Sequence, residues 1–225
     1  MLRFPRRRSR VRPYVQSVAE ERFNWLSHGL GLLLVSAGTA ALVTAASLYA
    51  TPWHIVGVSI FGASLVLLYA TSTIYHSLRD PRWKRVLQVT DHAVIFLLIA
   101  GTYTPFTLVT LRGGWGWSLF GVIWGLAAAG IAFKLFFTGR VEALSTLLYV
   151  VMGWLVVVAI VPLVEALAPG DLALLVTGGV AYTVGALFYL WDERVPYFHN
   201  VFHLCVLAGS ACHYWVVWNV VLPSS

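Results

Sequence analysis

Seven long apolar stretches follow one another with only short breaks, and they constrain the fold of this chain more than any other feature. Each holds about 20 residues, the length that an α-helix needs to cross roughly 30 Å of hydrocarbon. Only 11% of the 225 residues are charged, well below the roughly 25% of an ordinary soluble domain. The sequence therefore predicts an all-α integral membrane bundle of seven transmembrane helices. The predicted helices cover residues 24–49, 53–78, 86–111, 115–138, 141–164, 171–191 and 197–221.

The apolar stretches leave room for a basic tail at 1–22 and a single transmembrane domain at 23–225. Six arginines lie among the first twelve residues, a pattern that also begins secretory signals. The first apolar stretch is too long for the apolar region of such a signal, so we expect an uncleaved first helix. The net charge of +6 does not indicate nucleic acid, because the basic residues lie in the tail and the loops, where membrane topology explains them. The expected partners are membrane lipids.

The positions of the basic residues predict an orientation. Of the fifteen Lys and Arg residues, fourteen lie in the tail or beside alternate loops on its side, and only Arg112 lies on the other. This bias predicts that the N-terminus is cytoplasmic and the C-terminus outside. Gly121 and Gly125 form a small-xxx-small pair that suits close helix packing, and a homo-oligomer is compatible with it.

Five polar residues are predicted to share one depth near the cytoplasmic side. Counting 1.5 Å per residue from the nearest predicted helix end places each of them between about 3 and 9 Å inside the helix. Ionisable side chains in a membrane are costly and usually functional. We therefore expect these residues to meet in one site. They are Ser72, His76, Asp91, His199 and His203.

The spacing within this group indicates a metal site. Residues four apart lie on one face of a helix. Ser72 and His76 therefore share one helix face, and His199 and His203 share another. Three imidazoles from two helices supply the protein ligands of an open catalytic zinc site. Zinc suits three imidazoles without thiolates, and iron and manganese are the alternatives.

Asp91 and Ser72 are the predicted catalytic residues. Asp91 is suited to hold a water molecule or accept its proton, and the Ser72 hydroxyl could stabilise a developing oxyanion. Asp91 could instead belong to a proton relay or pair with an arginine. His28 lies at the same depth and suits either support of the ligands or packing, whereas His213 lies about 24 Å along the last helix, too far to share the site.

Three ordered motifs carry a family resemblance that spans nearly the whole chain. Ser72–His76, Asp91–Pro105 and His199–His203 resemble the bacterial hemolysin III proteins, relatives of the progestin and adiponectin receptors and, more widely, of the alkaline ceramidases. The resemblance implies a seven-helix fold in the bacterial inner membrane with a zinc site near the cytoplasmic face. It also implies that the three histidines bind the metal, that Asp91 contacts it through water, and that Ser72 supports the site.

Three functions are compatible with the sequence. The leading hypothesis is a zinc-dependent hydrolase of a lipid amide or ester, similar to a ceramidase. The second is a pore-forming cytolysin, which the family name implies. The third is a sensor or structural membrane protein in which zinc ties two helices together.

Overall fold

The computed structural model describes residues 16–137 and 142–221, with side chains through Asn219. It contains seven helical spans that are long and apolar enough to cross a membrane, and no strand occurs in these ranges. The protein is therefore a multi-pass membrane protein, and the predicted all-α bundle of seven helices is confirmed. The orientation in the membrane stays a prediction.

The Met1–Arg12 part of the predicted basic tail and Arg140 lie outside the described residues. The spans are built from helices α1 (Val18–Tyr49), α2 (Pro52–Ser77), α3 (Pro81–Pro105), α4 (Gly114–Phe137), α5 (Glu142–Trp154), α6 (Ile160–Ala166), α7 (Pro169–Trp191) and α8 (Phe198–Val221).

Two helices begin five or six residues earlier than the apolar stretches predicted. Helix α1 begins after Ser17, whose side chain accepts a hydrogen bond from the Glu20 amide while the Glu20 carboxylate accepts one from the Ser17 amide. This reciprocal capping box satisfies backbone donors that would otherwise lack partners. Helix α3 begins after Asp80, which caps two amides, and Pro81 provides a favourable first residue. Capping thus adds a polar first turn to each apolar span.

Two of the spans are not α-helical over their whole length. The third continues past α3 as a π-helical turn, Phe106–Thr110, directly after Pro105, which lacks an amide for the α-helical hydrogen bond. The fifth consists of α5, a 3₁₀ segment at Leu155–Ala159, and α6. Within α6, Pro162 cannot donate to the carbonyl of Val158.

Tyr103 joins these two interrupted spans. The single proton of its hydroxyl is shared between the carbonyl oxygens of Met152 and Gly153, each 2.9 Å from the hydroxyl oxygen, which accepts a hydrogen bond from the Val156 amide at 2.8 Å. Those carbonyls and that amide lie where α5 changes to the 3₁₀ segment. One buried side chain therefore satisfies the backbone at the break.

Apolar side chains form a large buried cluster in the interior of the bundle. The largest buried cluster includes Phe61, Leu65 and Tyr69 of α2, together with residues of α1, α3 and α8. Large apolar side chains such as Leu33, Val122 and Val161 project outward, as expected of surfaces that face lipid. Gly121 and Gly125 belong to such a surface, because a Cβ added to either meets no described atom within 4 Å.

Candidate metal centre

Three histidines from two helices converge in the interior. His76 lies in the last turn of α2, and His199 and His203 lie in the first two turns of α8. One ring nitrogen of each falls within 4.8 Å of the other two, and all three residues are buried. The group could hold a metal ion. The structure thus places together the three residues that the sequence predicted as ligands.

The nitrogens available to an ion are identified by their lack of other partners. Nε2 of His76, Nε2 of His199 and Nδ1 of His203 are buried without a hydrogen-bond partner among the residues that the structure describes. An unpaired polar atom in a low-dielectric interior is costly. A shared cation would satisfy all three atoms at once.

Carboxylates hold the opposite nitrogens of two of these rings. Nδ1 of His76 lies 2.6 Å from the Glu21 carboxylate, and Nδ1 of His199 lies 2.6 Å from the Asp192 carboxylate. Each carboxylate accepts a hydrogen bond from the Nδ1–H group, which leaves the Nε2 lone pair free to bind a metal and fixes the ring orientation. Lys84 forms an ion pair with Glu21 in turn.

His28 connects the histidine group to Ser72. Its ring stacks on that of His203 with centroids 3.6 Å apart, and its Nδ1 lies 2.8 Å from the Ser72 hydroxyl. Both interactions are buried. Of the two roles that the sequence left open for His28, the geometry favours support of the site, because one ring touches a candidate ligand and a candidate catalytic residue.

A set of buried hydrogen bonds ties the start of α1 to the start of α8. The Glu20 side chain accepts a hydrogen bond from the Tyr197 amide at 2.7 Å, and Asn200 donates to the Asn24 side chain at 2.6 Å. Tyr197 adopts φ of +64°, a left-handed conformation that is uncommon for a non-glycine residue. The Glu20 contact holds this turn, which lies two residues before His199.

An apolar cavity of about 140 Å³ opens beside the histidine group. Ser72, Asp91 and His203 line one end of it, and most of the remaining wall comes from apolar and aromatic residues of α3, α5, α7 and α8. Both predicted catalytic residues therefore line the polar part of an apolar space.

A second buried polar cluster lies beside the first, on α3, α4, α5 and α7. Lys134 is only 1% exposed, and its Nζ donates to the Glu142 carboxylate at 2.6 Å. His92 and Tyr189 complete the cluster, with the Tyr189 hydroxyl 3.2 Å from Nε2 of His92. The sequence indicated Lys134 only as a charge near a loop. In the structure it lies inside α4 and binds the neighbouring span.

Sequence reasoning missed the acidic partners of the ligands. Asp192 precedes His199 by seven residues, and Glu21 lies far from His76 along the chain. The available signal was that both carboxylates flank predicted helix ends at the depth of the histidines. Their pairing with particular rings depends on which helices are neighbours, and spacing along the chain does not supply that information.

The fold and the site define the class of this protein: a seven-span helical membrane protein with a buried three-histidine group at one end of its bundle. Residues 16–214 match the model of the haemolysin-III related family, so the chain belongs to that family.

Bacterial and animal relatives are similar over most of their lengths. Hemolysin-3 of Bacillus cereus is 46% identical over 210 residues, which cover 93% of this chain and 95% of that protein. The hemolysin-3 homolog of Bacillus subtilis (strain 168) is 43% identical over 201 residues, 89% of this chain and 94% of the relative. The human monocyte to macrophage differentiation factor is 24% identical over 180 residues, 76% of this chain and 73% of that protein.

Proposed function

We propose that this protein is a zinc-dependent hydrolase that acts on an amide or ester bond of a membrane lipid. The observation that carries the proposal is the convergence of three unpartnered, buried imidazole nitrogens beside an apolar cavity whose polar end holds a carboxylate and a hydroxyl. A structural site alone gives no reason for a cavity with Asp91 and Ser72 at its end.

The donor set fits zinc. Three neutral imidazoles without thiolates are typical of catalytic zinc sites that leave a fourth position open. The carboxylates of Glu21 and Asp192 supply the outer support that such ligands commonly have. Zinc bound there would polarise a carbonyl group and lower the pKa of a water molecule.

Asp91 and Ser72 supply the remaining chemistry in this proposal. The Asp91 carboxylate holds a water molecule at the polar end of the cavity, accepts its proton, and later delivers that proton to the leaving amine or alcohol. The Ser72 hydroxyl donates a hydrogen bond to the oxygen that gains negative charge. Nδ1 of His28 contacts the same hydroxyl and holds it in place. His28 orients Ser72 and does not itself reach the reacting atoms.

The cavity indicates a lipid substrate. Its walls also include Leu68, Ile95, Leu98 and Val206, whose side chains can contact an alkyl chain. The depth of the site suits a lipid that enters from the predicted cytoplasmic leaflet. Ceramides and simple acyl esters are therefore suitable first substrates to test.

The first experiment measures metal content. Purified protein should contain about one zinc ion per chain by elemental analysis, and His76→Ala, His199→Ala and His203→Ala should each lose most of it. His54→Gln is the matched control, because His54 lies at the opposite end of α2 and glutamine can keep its capping position. Retention of zinc by the three alanine variants would show that the ligands are wrongly assigned.

The second experiment measures turnover. Release of fatty acid from a ceramide and from an acyl ester, followed by mass spectrometry, should depend on zinc. Asp91→Asn should keep zinc and lose at least a hundredfold in rate, the effect of removing a general base. Stable zinc binding without turnover of either substrate would favour a structural metal.

Membrane lysis is the second candidate function, because the two bacterial relatives are named hemolysin-3 and hemolysin-3 homolog. Leakage of a dye from liposomes by the pure protein, unchanged in His76→Ala, would favour lysis over hydrolysis. The hydrolase proposal expects no leakage until lipid products accumulate.

A further inference from the structure

Two apolar cavities lie one after the other inside the bundle. Each has a volume of about 140 Å³. The first adjoins the histidine group, and the second is lined by residues such as Phe106, Leu119 and Leu163. Their walls overlap in residues of four helices, α3, α5, α7 and α8, so the two cavities meet at one level of the bundle. The shared residues are Thr102, Tyr103, Gly153, Trp154, Gly179 and His213.

The Trp154 ring bridges α5 and α7 at this level. Its Nε1 donates a hydrogen bond to the Thr183 hydroxyl at 2.9 Å. A Cβ added to Gly179 would lie 3.7 Å from Cζ2 and 3.8 Å from Cη2 of the same ring. Because Gly179 and Thr183 are four residues apart, they share one face of α7, and the indole lies along that face.

Two further rings bridge neighbouring helices at the same level. The Tyr103 hydroxyl of α3 contacts the Met152 carbonyl oxygen of α5 at 2.9 Å. On α8, Nε2 of His213 donates a hydrogen bond to the Leu175 carbonyl of α7 at 3.1 Å. We call Tyr103, Trp154 and His213 the aromatic collar. Each of its rings is fixed by a hydrogen bond to the next helix, so none can swing aside without losing that bond.

The collar lies about 15 Å from the polar end of the first cavity. On α8, His213 lies ten residues beyond His203, about 15 Å along the helix axis. On α3, Thr102 lies eleven residues beyond Asp91, about 17 Å along the axis. Two helices on different sides of the cavity therefore give nearly the same length.

We propose that the aromatic collar limits the length of the acyl chain, so that the lipid carries an acyl group of roughly twelve carbons. This inference rests on the proposed function, which places the carbonyl group of the lipid at the metal centre. An extended chain advances about 1.2 Å per bond, so about 15 Å corresponds to roughly twelve bonds. A longer chain would have to displace a ring of the collar and break its hydrogen bond in an apolar interior.

Trp154 is the member of the collar whose removal should join the two cavities. Its indole fills the space between α5 and the small residue Gly179. The second cavity continues along α7 as far as Leu172, seven residues from Gly179 and about 10 Å along the axis. This added length accommodates roughly eight further bonds. Trp154→Ala should therefore admit chains of roughly twenty carbons.

The test measures how binding depends on chain length. Purified, zinc-loaded protein in lipid nanodiscs is titrated with octanoate, dodecanoate, hexadecanoate and icosanoate. Each Kd is expressed as a mole fraction in the nanodisc lipid, which removes the effect of partition. The natural protein should bind the first two acids similarly and the last two roughly tenfold more weakly or worse, the effect of overpacking an apolar site. Trp154→Ala should bind all four with similar Kd values.

Two control variants separate the length limit from a general loss of structure. Val150 lines the first cavity one helical turn nearer the polar end than Trp154. Val150→Phe should shorten this cavity, so it should weaken dodecanoate and keep octanoate. Trp215 is exposed on α8 and lines neither cavity, and Trp215→Ala should leave all the Kd ratios unchanged. A partly unfolded protein would not move the limit in opposite directions in Trp154→Ala and Val150→Phe.

The same titration distinguishes failure of the length limit from failure of the proposed function. His76→Ala should weaken octanoate and dodecanoate alike, because it removes the anchor for the carboxylate. Equal Kd values for all four acids in the natural protein, with binding lost in His76→Ala, would refute the length limit and leave the proposed function standing. Unchanged binding in His76→Ala would count against a lipid head at the metal centre. Continued exclusion of hexadecanoate by Trp154→Ala would refute the role of the collar.

Discussion

Replacing Asp192 by asparagine tests whether the carboxylates beside the histidines support metal binding. Asp192 accepts a hydrogen bond from Nδ1 of His199 at 2.6 Å, and its side chain is only 13% exposed. Asparagine has nearly the same shape and keeps a neutral acceptor. The substitution therefore removes charge from the contact while leaving the ring with a partner.

The expected loss follows from the difference between two kinds of hydrogen bond. A bond to a charged group contributes about 1.5–3 kcal/mol and a neutral bond about 0.5–1.5 kcal/mol, so the substitution should cost about 1–1.5 kcal/mol of metal binding. At 1.4 kcal/mol per factor of ten, Kd for zinc should rise roughly tenfold. This value lies at the lower end of the range typical of such supporting residues.

Competition between the protein and a zinc chelator, followed in detergent by the absorbance of the chelator, measures this Kd. Glu193→Gln is the matched control, because it removes the same charge from the next residue, which is exposed. It should change Kd by less than twofold. The reasoning is refuted if Asp192→Asn binds zinc as tightly as the natural protein while His199→Ala does not, because the carboxylate would then have no influence on the ligand that it touches.

Two further substitutions test contacts that hold the bundle together. Tyr103→Phe removes a hydroxyl that satisfies the backbone where α5 ends, so we expect a loss of about 1–3 kcal/mol in stability, measured as a lower Tm in detergent. Lys134→Met leaves the Glu142 carboxylate without this cation, and we expect a loss of about 2–4 kcal/mol that Glu142→Gln partly restores in the double variant.

Gly121→Ala is a suitable control for both measurements, because its Cβ meets no described atom. It should not lower Tm and is expected to raise it slightly, because alanine favours a helix more than glycine does. A normal Tm for Tyr103→Phe would show that other groups satisfy the break in the fifth span. Additive effects of the Lys134 and Glu142 substitutions would show that the two side chains do not stabilise one another.

The seven spans could be predicted because the membrane imposes a length and a polarity that appear directly in the sequence. The early starts of α1 and α3 could have been predicted as well, since Ser17–Glu20 and Asp80–Pro81 are recognisable capping patterns. The 3₁₀ segment of the fifth span was harder to predict from the sequence. It depends on Tyr103, a residue of another helix that binds the backbone at the break.

The convergence of the three histidines could be predicted from positions along the chain. The prediction used the spacing of His199 and His203 on α8 and the depth of all three residues in the bundle. The partners of those histidines required the identity of neighbouring helices. Glu21 reaches His76 because α1 packs beside α2, and no periodicity in either helix indicates that pairing. Lys134 was unpredictable for a related reason, because a lysine near a loop is normally solvated and its burial depends on Glu142 and His92 being opposite it.

The contacts between α1 and α8 have a consequence for biosynthesis. The site takes Glu21 and His28 from the first described span and His199 and His203 from the last. During synthesis, five intervening spans must enter the membrane before the last two histidines leave the ribosome. A metal ion that needs all three histidines could therefore bind only after insertion of the whole bundle, and a chain stalled before α8 would lack the complete site.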